Sequence, residues 1–225
     1  ERVGKNKHKH FAENLTFDNF FQDRYHQICD GFKLKGNWNE QFFSNPGPIT
    51  LEVGCGKAEF TVHLASKYPE QNFVGIDVKG ARMWRGAKDC QERGLKNTAF
   101  IRTHIQNMAL YFGPNEVNQI WIPFPDPQPN KPSERKRLTS PNLLNVYSKI
   151  LSPGHTIHLK TDSQFLYEYT LEVIAGENHQ LLFETNHLYE SGFEGDVRQV
   201  KTFYENHFLA QGFTIKYIQF RLNGF

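Results

Sequence analysis

The stretch Leu51-Glu52-Val53-Gly54-Cys55-Gly56-Lys57-Ala58-Glu59 decides the fold of this chain. A short apolar run ends there in a glycine-rich turn, and the turn opens a helical pattern. A second apolar run, residues 73–76, ends in Asp77. Glycines at a strand-to-helix turn let a ligand approach the backbone, and an acid about 20 residues further on can bind ribose hydroxyls. The two motifs together predict a nucleoside-binding βαβ unit.

The residue at the third position of the glycine motif indicates which nucleoside binds. Glu59 stands where a dinucleotide fingerprint has glycine, and a bulky acid suits a pyrophosphate poorly. S-adenosylmethionine has no phosphate, and its ammonium group needs an anionic partner, which Glu52 beside the turn can supply. The residues favour S-adenosylmethionine over NAD, and an NAD-dependent oxidoreductase stays open as an alternative.

Apolar runs alternate with helical patterns over most of the chain, as is typical of βαβ units and a parallel sheet. Ser140-Pro141 is a good start signal for a helix, with serine as N-cap and proline at the first helical position. The pattern predicts strands over residues 49–53, 73–78, 99–102, 119–124 and 156–159, and helices over residues 59–67, 81–92, 142–150 and 164–175.

Two further strands, residues 180–185 and 214–222, are expected around a helix at residues 202–210. The last strand alternates in polarity, which predicts an edge position with one exposed face. The expected fold is therefore α/β and Rossmann-like, with a mostly parallel sheet of about seven strands and helices on both faces. We divide the chain into residues 1–45, a basic arm and aromatic-rich extension, and residues 46–225, the main domain.

Composition excludes several classes of protein. Hydrophobic residues make up 38% of the 225 positions, which favours a folded protein, and no apolar run is long enough to cross a membrane. Cys29, Cys55 and Cys90 lack CxxC pairing, so neither a zinc site nor a disulfide framework is expected. We expect a cytoplasmic protein without a metal, as a monomer or a homodimer.

A carboxylate held between prolines opens the segment Phe124-Pro125-Asp126-Pro127-Gln128-Pro129-Asn130-Lys131. Proline restricts its own φ and the residue before it, so we expect a stiff backbone to present Asp126. The segment runs into a basic cluster, which favours a partner that carries phosphates. The cations of that cluster are Lys131, Arg135, Lys136 and Arg137, and a second basic group in the N-terminal arm comprises Arg2, Lys5, Lys7, His8, Lys9 and His10.

From Ile49 onward the sequence resembles the bacterial tRNA (guanine-N7)-methyltransferase family. Residues 51–56 and 75–77 are similar to its cofactor motifs, and Phe124-Pro125-Asp126-Pro127 to its most specific signature. Thr161-Asp162 and residues 202–205 are similar to two later substrate motifs. The resemblance implies a Rossmann-like enzyme that transfers a methyl group from S-adenosylmethionine to N7 of a guanosine in the variable loop of tRNA.

The resemblance also implies roles for individual residues. Asn130 stands where the family has lysine and Gln128 where it has tryptophan, so the remaining cations of the segment are expected to carry more of the RNA contacts. His104 falls at the adenine position, although a surface histidine that opens a helix fits it equally. The implied cofactor residues are Glu52, Gly54, Gly56, Asp77, His104 and Asp126, and the implied substrate residues are Asn130, Lys131, Arg135, Lys136, Arg137, Asp162, Thr202 and Glu205.

Guanine N7 is an acceptor lone pair with no proton to remove, so positioning should dominate over acid–base chemistry. Carboxylates at Asp126, Asp162 and Glu205 would stabilise the positive charge that methylation puts on the purine, and Asp126 would orient the base. Structural roles remain open: Asp162 as a helix N-cap, and Thr202 with Glu205 as a capping box. A tRNA-binding protein without catalysis is the second alternative.

Overall fold

A computed structural model describes residues 3–224 of the chain, with side chains from residue 6 onward. Its described strands form one sheet in the order β1-β4-β3-β2-β5-β6-β8-β7. Neighbouring strands are parallel, except that β8 runs antiparallel to both β6 and β7. The strands are β1 (Phe20–Phe21), β2 (Ile49–Val53), β3 (Asn72–Asp77), β4 (Thr98–Arg102), β5 (Val117–Pro123), β6 (Leu151–Thr161), β7 (Gln180–Thr185) and β8 (Lys216–Arg221).

The helices begin and end where local chemistry favours it. Pro141 is the first helical residue after Ser140, as predicted, and Gly94 ends a helix with a φ of 67°. The helices are α1 (Val3–Asn14), α2 (Tyr25–Ile28), α3 (Glu59–Lys67), α4 (Gly80–Arg93), α5 (Met108–Tyr111), α6 (Pro141–Ser148), α7 (Gln164–Gly176), α8 (Asp196–Gln199) and α9 (Phe203–Ala210). Shorter 3-10 turns cover Ile105–Asn107 and Lys131–Lys136, and a π turn covers Asn39–Phe43.

Both faces of the sheet are buried. Alternate residues of one strand pack into different hydrophobic clusters on the two faces. In β5, Ile120 and Ile122 pack with α6 and α7, whereas Trp121 packs with Phe60 and Leu64 of α3 on the other face. Such two-sided burial is expected for parallel strands covered by helices. It confirms the predicted α/β fold with helices on both faces.

The N-terminal extension adds to the same sheet and core. Strand β1 pairs with β4, which brings the strands of the described residues to eight, where about seven were predicted. Trp38 is fully buried, and its Nε1 donates to the carbonyl oxygen of Tyr111 (2.9 Å). Helix α1 lies along α4, where His10 stacks on Trp84 with ring centroids 3.9 Å apart. The basic arm is therefore helical over its described part; Arg2 lies outside the described residues.

The predicted edge position of the last strand is wrong. Strand β8 pairs with β6 on one side and with β7 on the other, so β7 is the edge strand at that end of the sheet. The alternation that suggested an exposed face has another cause: Tyr217 enters one core while Ile218 and Phe220 enter the other. Among the described helices, none is long and apolar enough to span a membrane.

Candidate active site

The glycine turn after β2 has a backbone that only glycine adopts without strain at two positions. Gly54 and Gly56 have φ of 72° and 56°. The amides of Gly54 and Cys55 both donate to the carbonyl oxygen of Ile76 (2.8 and 3.1 Å), which ties the turn to β3. A side chain at Gly54 would also lie only 3.1 Å from Leu138. The turn thus leaves open space at the carboxyl ends of β2 and β3.

Asp77, the last residue of β3, closes this turn. Its Oδ2 accepts a hydrogen bond from the amide of Gly56 (2.9 Å), and its Oδ1 accepts one from the amide of Lys79 (2.8 Å). Each carboxylate oxygen retains a lone pair, and the half-buried side chain lines the cavity described below. The carboxylate is therefore held rigidly and can still accept from two hydroxyl groups.

Glu52 is buried in β2 next to the turn, with only 4% of its surface exposed. Its Oε2 accepts from both the amide and the hydroxyl of Thr61 on α3 (2.7 and 2.6 Å). Burial nevertheless dominates and raises the pKa of Glu52 to about 8. Burial also raises the pKa of the neighbouring Cys55 thiol, which favours the neutral form. A cation bound in the cavity next to Glu52 would stabilise the ionised form of its carboxyl group.

The proline-rich loop after β5 has an unusual backbone. Phe124 and Gln128 both have left-handed φ, 49° and 47°, which is rare for side chains of this size. The amide of Phe124 donates to the carbonyl oxygen of Lys160 at the end of β6 (2.7 Å). Asp126 Oδ1 accepts from the amide of Gln128 (3.2 Å), and its exposed side chain lines the cavity. These hydrogen bonds hold the loop, and with it Asp126, in a defined position.

Arg137 fixes the same loop from behind and does not join an exposed basic cluster. Its Nε donates to the carbonyl oxygen of Gln128 (3.2 Å), and its guanidinium lies 3.3 Å from the Glu134 carboxylate. The guanidinium also packs over the rings of Phe165 and Tyr169, 4.7 and 4.2 Å from their centroids. Because these contacts leave it 5% exposed, Arg137 cannot make the predicted phosphate contact in this conformation.

The other residues of the predicted cluster are solvent-exposed, on or beside the 3-10 turn Lys131–Lys136. Lys136 reaches the rim of the cavity. The structure thus retains three exposed cations of the predicted four: Lys131, Arg135 and Lys136. Asn130 precedes them and is exposed too.

Asp162 follows β6, two strands away from the glycine turn along the sheet, and also lines the cavity. Partial burial raises the pKa of its carboxyl group. It does not cap α7: the side chain of Ser163 accepts from the amide of Leu166 (3.2 Å) and fills that position. The alternative reading of Asp162 as an N-cap is therefore wrong.

Thr202 and Glu205 are close in sequence, but their side chains lie in different surroundings. Thr202 lines the cavity, and its Oγ1 accepts from the amide of Glu205 (3.2 Å), which caps α9. The return half of a capping box is not formed, because the Glu205 carboxylate is fully buried 2.7 Å from the ammonium of Lys160. Tyr189 donates a short hydrogen bond to the other oxygen of Glu205. Glu205 is therefore not among the residues that line the cavity.

Lys160 is a residue of this region that the sequence analysis missed. Its side chain is fully buried, and the ammonium also donates to the carbonyl oxygens of Val197 (2.5 Å) and Val200 (3.0 Å). Burial lowers the pKa of Lys160, while Glu205 opposes that shift. A lysine directly after the apolar run 156–159 was the available signal, since a charge in a buried strand requires a partner.

These residues surround a cavity of about 540 Å³ at the carboxyl ends of β2, β3, β5 and β6. Its carboxylates are mostly buried or half-buried, whereas its cations, among them Lys57 and Arg82, are exposed at the rim. His104 is exposed at the start of a 3-10 turn and does not line the cavity; the next residue, Ile105, does. The predicted residues that the cavity brings together are Glu52, Gly54, Gly56, Asp77, Asp126, Lys136, Asp162 and Thr202.

Comparisons with known proteins agree with this architecture. A glycine turn closed by an acid, with the site at the carboxyl ends of parallel strands, places the chain among the Rossmann-like nucleoside-binding folds. Residues 46–218 match the model of a family described as putative methyltransferase. A 16S rRNA methyltransferase, KamB, has a similar fold (TM-score 0.63, 16% identity, 82% of this chain and 92% of that chain).

A second solved structure with this fold is a 16S rRNA (adenine(1408)-N(1))-methyltransferase from Catenulisporales acidiphilia, described with its cosubstrate SAM. It covers 80% of this chain and 87% of its own, with a TM-score of 0.55 and 14% identity. At such identities the likeness concerns the fold alone.

Sequence relatives are much more similar. The tRNA (guanine-N(7)-)-methyltransferase of Christiangramia forsetii is 47% identical over 97% of this chain and 98% of its own. The protein of the same name from Bacteroides thetaiotaomicron is 42% identical over 98% of this chain and 87% of its own. The chain belongs to the tRNA (guanine-N7-)-methyltransferase family.

Proposed function

We propose that this protein transfers the methyl group of S-adenosylmethionine to N7 of a guanine in the variable loop of tRNA. The observation that carries the proposal is the 47% identity, over nearly the whole of both chains, to a tRNA (guanine-N(7)-)-methyltransferase. The site supports it, because a cationic nucleoside without phosphates fits a cavity whose buried and half-buried ionisable residues are carboxylates apart from the Cys55 thiol. We expect the reaction to take place in the cytoplasm.

The donor set fits S-adenosylmethionine. Asp77 offers two lone pairs to ribose hydroxyls while two backbone amides hold it in place. Glu52 offers its carboxyl group to the ammonium of the methionine part, which would relieve the cost of burying an unpaired charge. Gly54 and Gly56 leave room for the ligand beside the backbone. When bound, S-adenosylmethionine supplies a methyl group on a sulfonium, which leaves without an added base.

The residues of the chain then have to orient guanine and stabilise positive charge on it. Asp126 and Asp162 face the cavity from the ends of β5 and β6 and would accept from the N1–H and amino group of guanine. Adenine lacks a donor at N1, so this pairing selects guanine. Thr202, at the start of α9, completes the guanine side of the cavity. The exposed cations Lys131, Arg135 and Lys136 would hold the RNA backbone, with Asn130 beside them.

The proposal is tested by incubating the purified protein with labelled S-adenosylmethionine and tRNA that lacks the modification, followed by nucleoside analysis. We expect label in N7-methylguanosine, and no turnover of NAD. Binding of tRNA without transfer of label would support the non-catalytic alternative. Label in another nucleoside would contradict the proposed acceptor.

A further inference from the structure

A second concave region lies directly beside the cavity. It has a volume of about 760 Å³ and runs between α4 on one side and the segment from α8 to α9 on the other. Lys57, Arg82 and Tyr204 line both regions, so the second opens at the mouth of the first. We call the second region the α4 groove. Asp126, Asp162 and Thr202, which lie on the guanine side of the cavity, do not line the α4 groove.

The α4 groove is basic. Its lining contains two carboxylates and five cations: Lys57, Arg82, Arg85, Arg93 and Lys201. Both carboxylates are already engaged, Glu59 by the amide of Phe203 (3.2 Å) and Asp89 by Arg85 (2.7 Å). Among the described side chains, no carboxylate lies within ion-pair distance of Arg82, Arg93 or Lys201. The groove therefore offers exposed positive charge that the protein itself does not neutralise.

Aromatic rings accompany these charges. Tyr204, at the junction with the cavity, is 45% exposed, and Phe203 beside it is 59% exposed, with the Lys57 ammonium 4.4 Å from its ring centroid. At the other side, the stacked pair of His10 and Trp84 contributes to the wall. Exposed rings for stacking, next to cations for phosphates, are the combination that binds unpaired nucleic-acid strands.

The wall that carries Lys201 and Tyr204 is also fixed in place. Asp196 of α8 pairs with Lys67 of α3 (2.6 Å), and Glu205 of α9 pairs with the buried Lys160 (2.7 Å). The segment between these two anchors is held at one end by α3 and at the other by β6. A groove with a fixed wall can bind a flexible strand without first having to order itself.

We propose that the α4 groove binds the tRNA strand that flanks the target guanine, with phosphates on Arg93 and Lys201 and a neighbouring base on Tyr204. The inference rests on the proposed function and deepens it. A guanine that reaches the cavity must leave its tertiary pairing, and its neighbours in the strand then require a place outside the cavity. The groove is the adjoining surface with the charge and rings to accept them.

The test compares the variant Arg93→Ala/Lys201→Ala with the control Lys35→Ala/Lys149→Ala. The control removes two exposed cations that line neither the cavity nor the groove: Lys149 lies just before β6, and Lys35 precedes Gly36, whose amide donates to Glu116 just before β5. In the groove variant we expect the log–log salt slope of tRNA binding to become shallower by about 0.7 to 0.9 for each lost phosphate contact. The KM for tRNA should rise, with S-adenosylmethionine affinity and single-turnover rate at saturating tRNA unchanged.

A groove variant with the salt slope of the wild type would overturn the inference while leaving methyl transfer, and so the proposed function, intact. Acetylation of the wild-type protein gives a second measurement that does not depend on how a variant folds. Bound tRNA should protect Lys201 and leave Lys149 as reactive as in the free protein. Equal reactivity of Lys201 with and without tRNA would also overturn the inference.

Discussion

Asp126 lies in a loop whose backbone is restricted at several positions. Prolines flank it on both sides, Phe124 and Gln128 have left-handed φ, and Arg137 donates to the carbonyl oxygen of Gln128. Left-handed φ in an aromatic residue persists only where surrounding contacts hold it. The loop is therefore strained at the point where the proposed chemistry requires accurate placement.

Replacing Asp126 with Asn should slow single-turnover methyl transfer by roughly 100-fold, the order found when one group that stabilises a developing charge is lost. The amide has the same shape but no negative charge for the methylated purine. Rapid-quench measurement with saturating S-adenosylmethionine and tRNA gives the rate. Glu172→Gln, an exposed carboxylate on α7, is the matched control and should be unchanged. A wild-type rate for the Asp126→Asn protein would remove Asp126 from the mechanism.

Glu52 leads to a prediction about protons. With a pKa raised to about 8, the carboxyl group is mostly protonated at pH 7 in the free protein. An ammonium partner favours the ionised form, so binding of S-adenosylmethionine should release about one proton, and affinity should rise as the pH rises from 6 toward 8. Calorimetry at pH 7 in buffers of different ionisation enthalpy counts the proton.

The matched variant is Glu52→Gln, which keeps an acceptor for Thr61 and cannot ionise. We expect it to bind S-adenosylmethionine more weakly and without the additional proton release. An identical proton count in the two proteins would show that Glu52 does not change its ionisation on binding.

At the scale of secondary structure elements, the buried pair Lys160–Glu205 joins the end of β6 to the start of α9. Glu205→Gln should lower the free energy of unfolding by about 3 to 5 kcal/mol, because the Lys160 ammonium is left buried without its counter-charge. Denaturant unfolding measures the loss. The double variant Lys160→Met/Glu205→Gln removes both charges and should recover part of the stability.

Activity of the same double variant separates two roles for Glu205. If Glu205 acts through Lys160 to position Thr202, the refolded double variant should recover turnover along with stability. Restored stability with turnover still absent would instead favour the direct contact with guanine that the resemblance implied.

Helix α1 gives a second prediction at this scale. Its inner side is fixed by His10 on Trp84 and by the Glu13–Lys88 pair (2.9 Å), whereas Lys7 and Lys9 are exposed. Lys7→Ala/Lys9→Ala should therefore keep the wild-type melting temperature and make the salt slope of tRNA binding shallower. An unchanged slope would show that the outer side of α1 does not touch tRNA.

At the scale of the whole molecule, the local signals predicted the parallel sheet well. The alternation of strands and helices depends on neighbouring residues, and the mostly parallel α/β fold that it predicted was confirmed. The sequence did not indicate that β8 inserts between β6 and β7, because an apolar alternation does not distinguish an exposed face from two buried ones. Strand β1 was missed because two residues carry no periodic pattern.

The candidate site shows the same contrast between features with a local sequence signal and features without one. Asp126 was predicted from its flanking prolines and from the family resemblance, and Asp162 from the resemblance alone; both line the cavity. Arg137 turns inward because it packs on Tyr169, and Glu205 is buried because it pairs with Lys160. Both partners are more than 30 residues away in sequence, so a local motif does not reveal them. The division of the chain at residue 45 and its oligomeric state stay predictions.

The most direct measurement of the central claim uses two tRNA transcripts that differ in one atom. One carries guanosine at the variable-loop target and the other 7-deazaguanosine, in which carbon replaces N7. We predict transfer of about one methyl group to the first transcript and none to the second, with equal binding of both, because the acceptor is the N7 lone pair. Methylation of the deaza transcript at a similar rate would contradict the account.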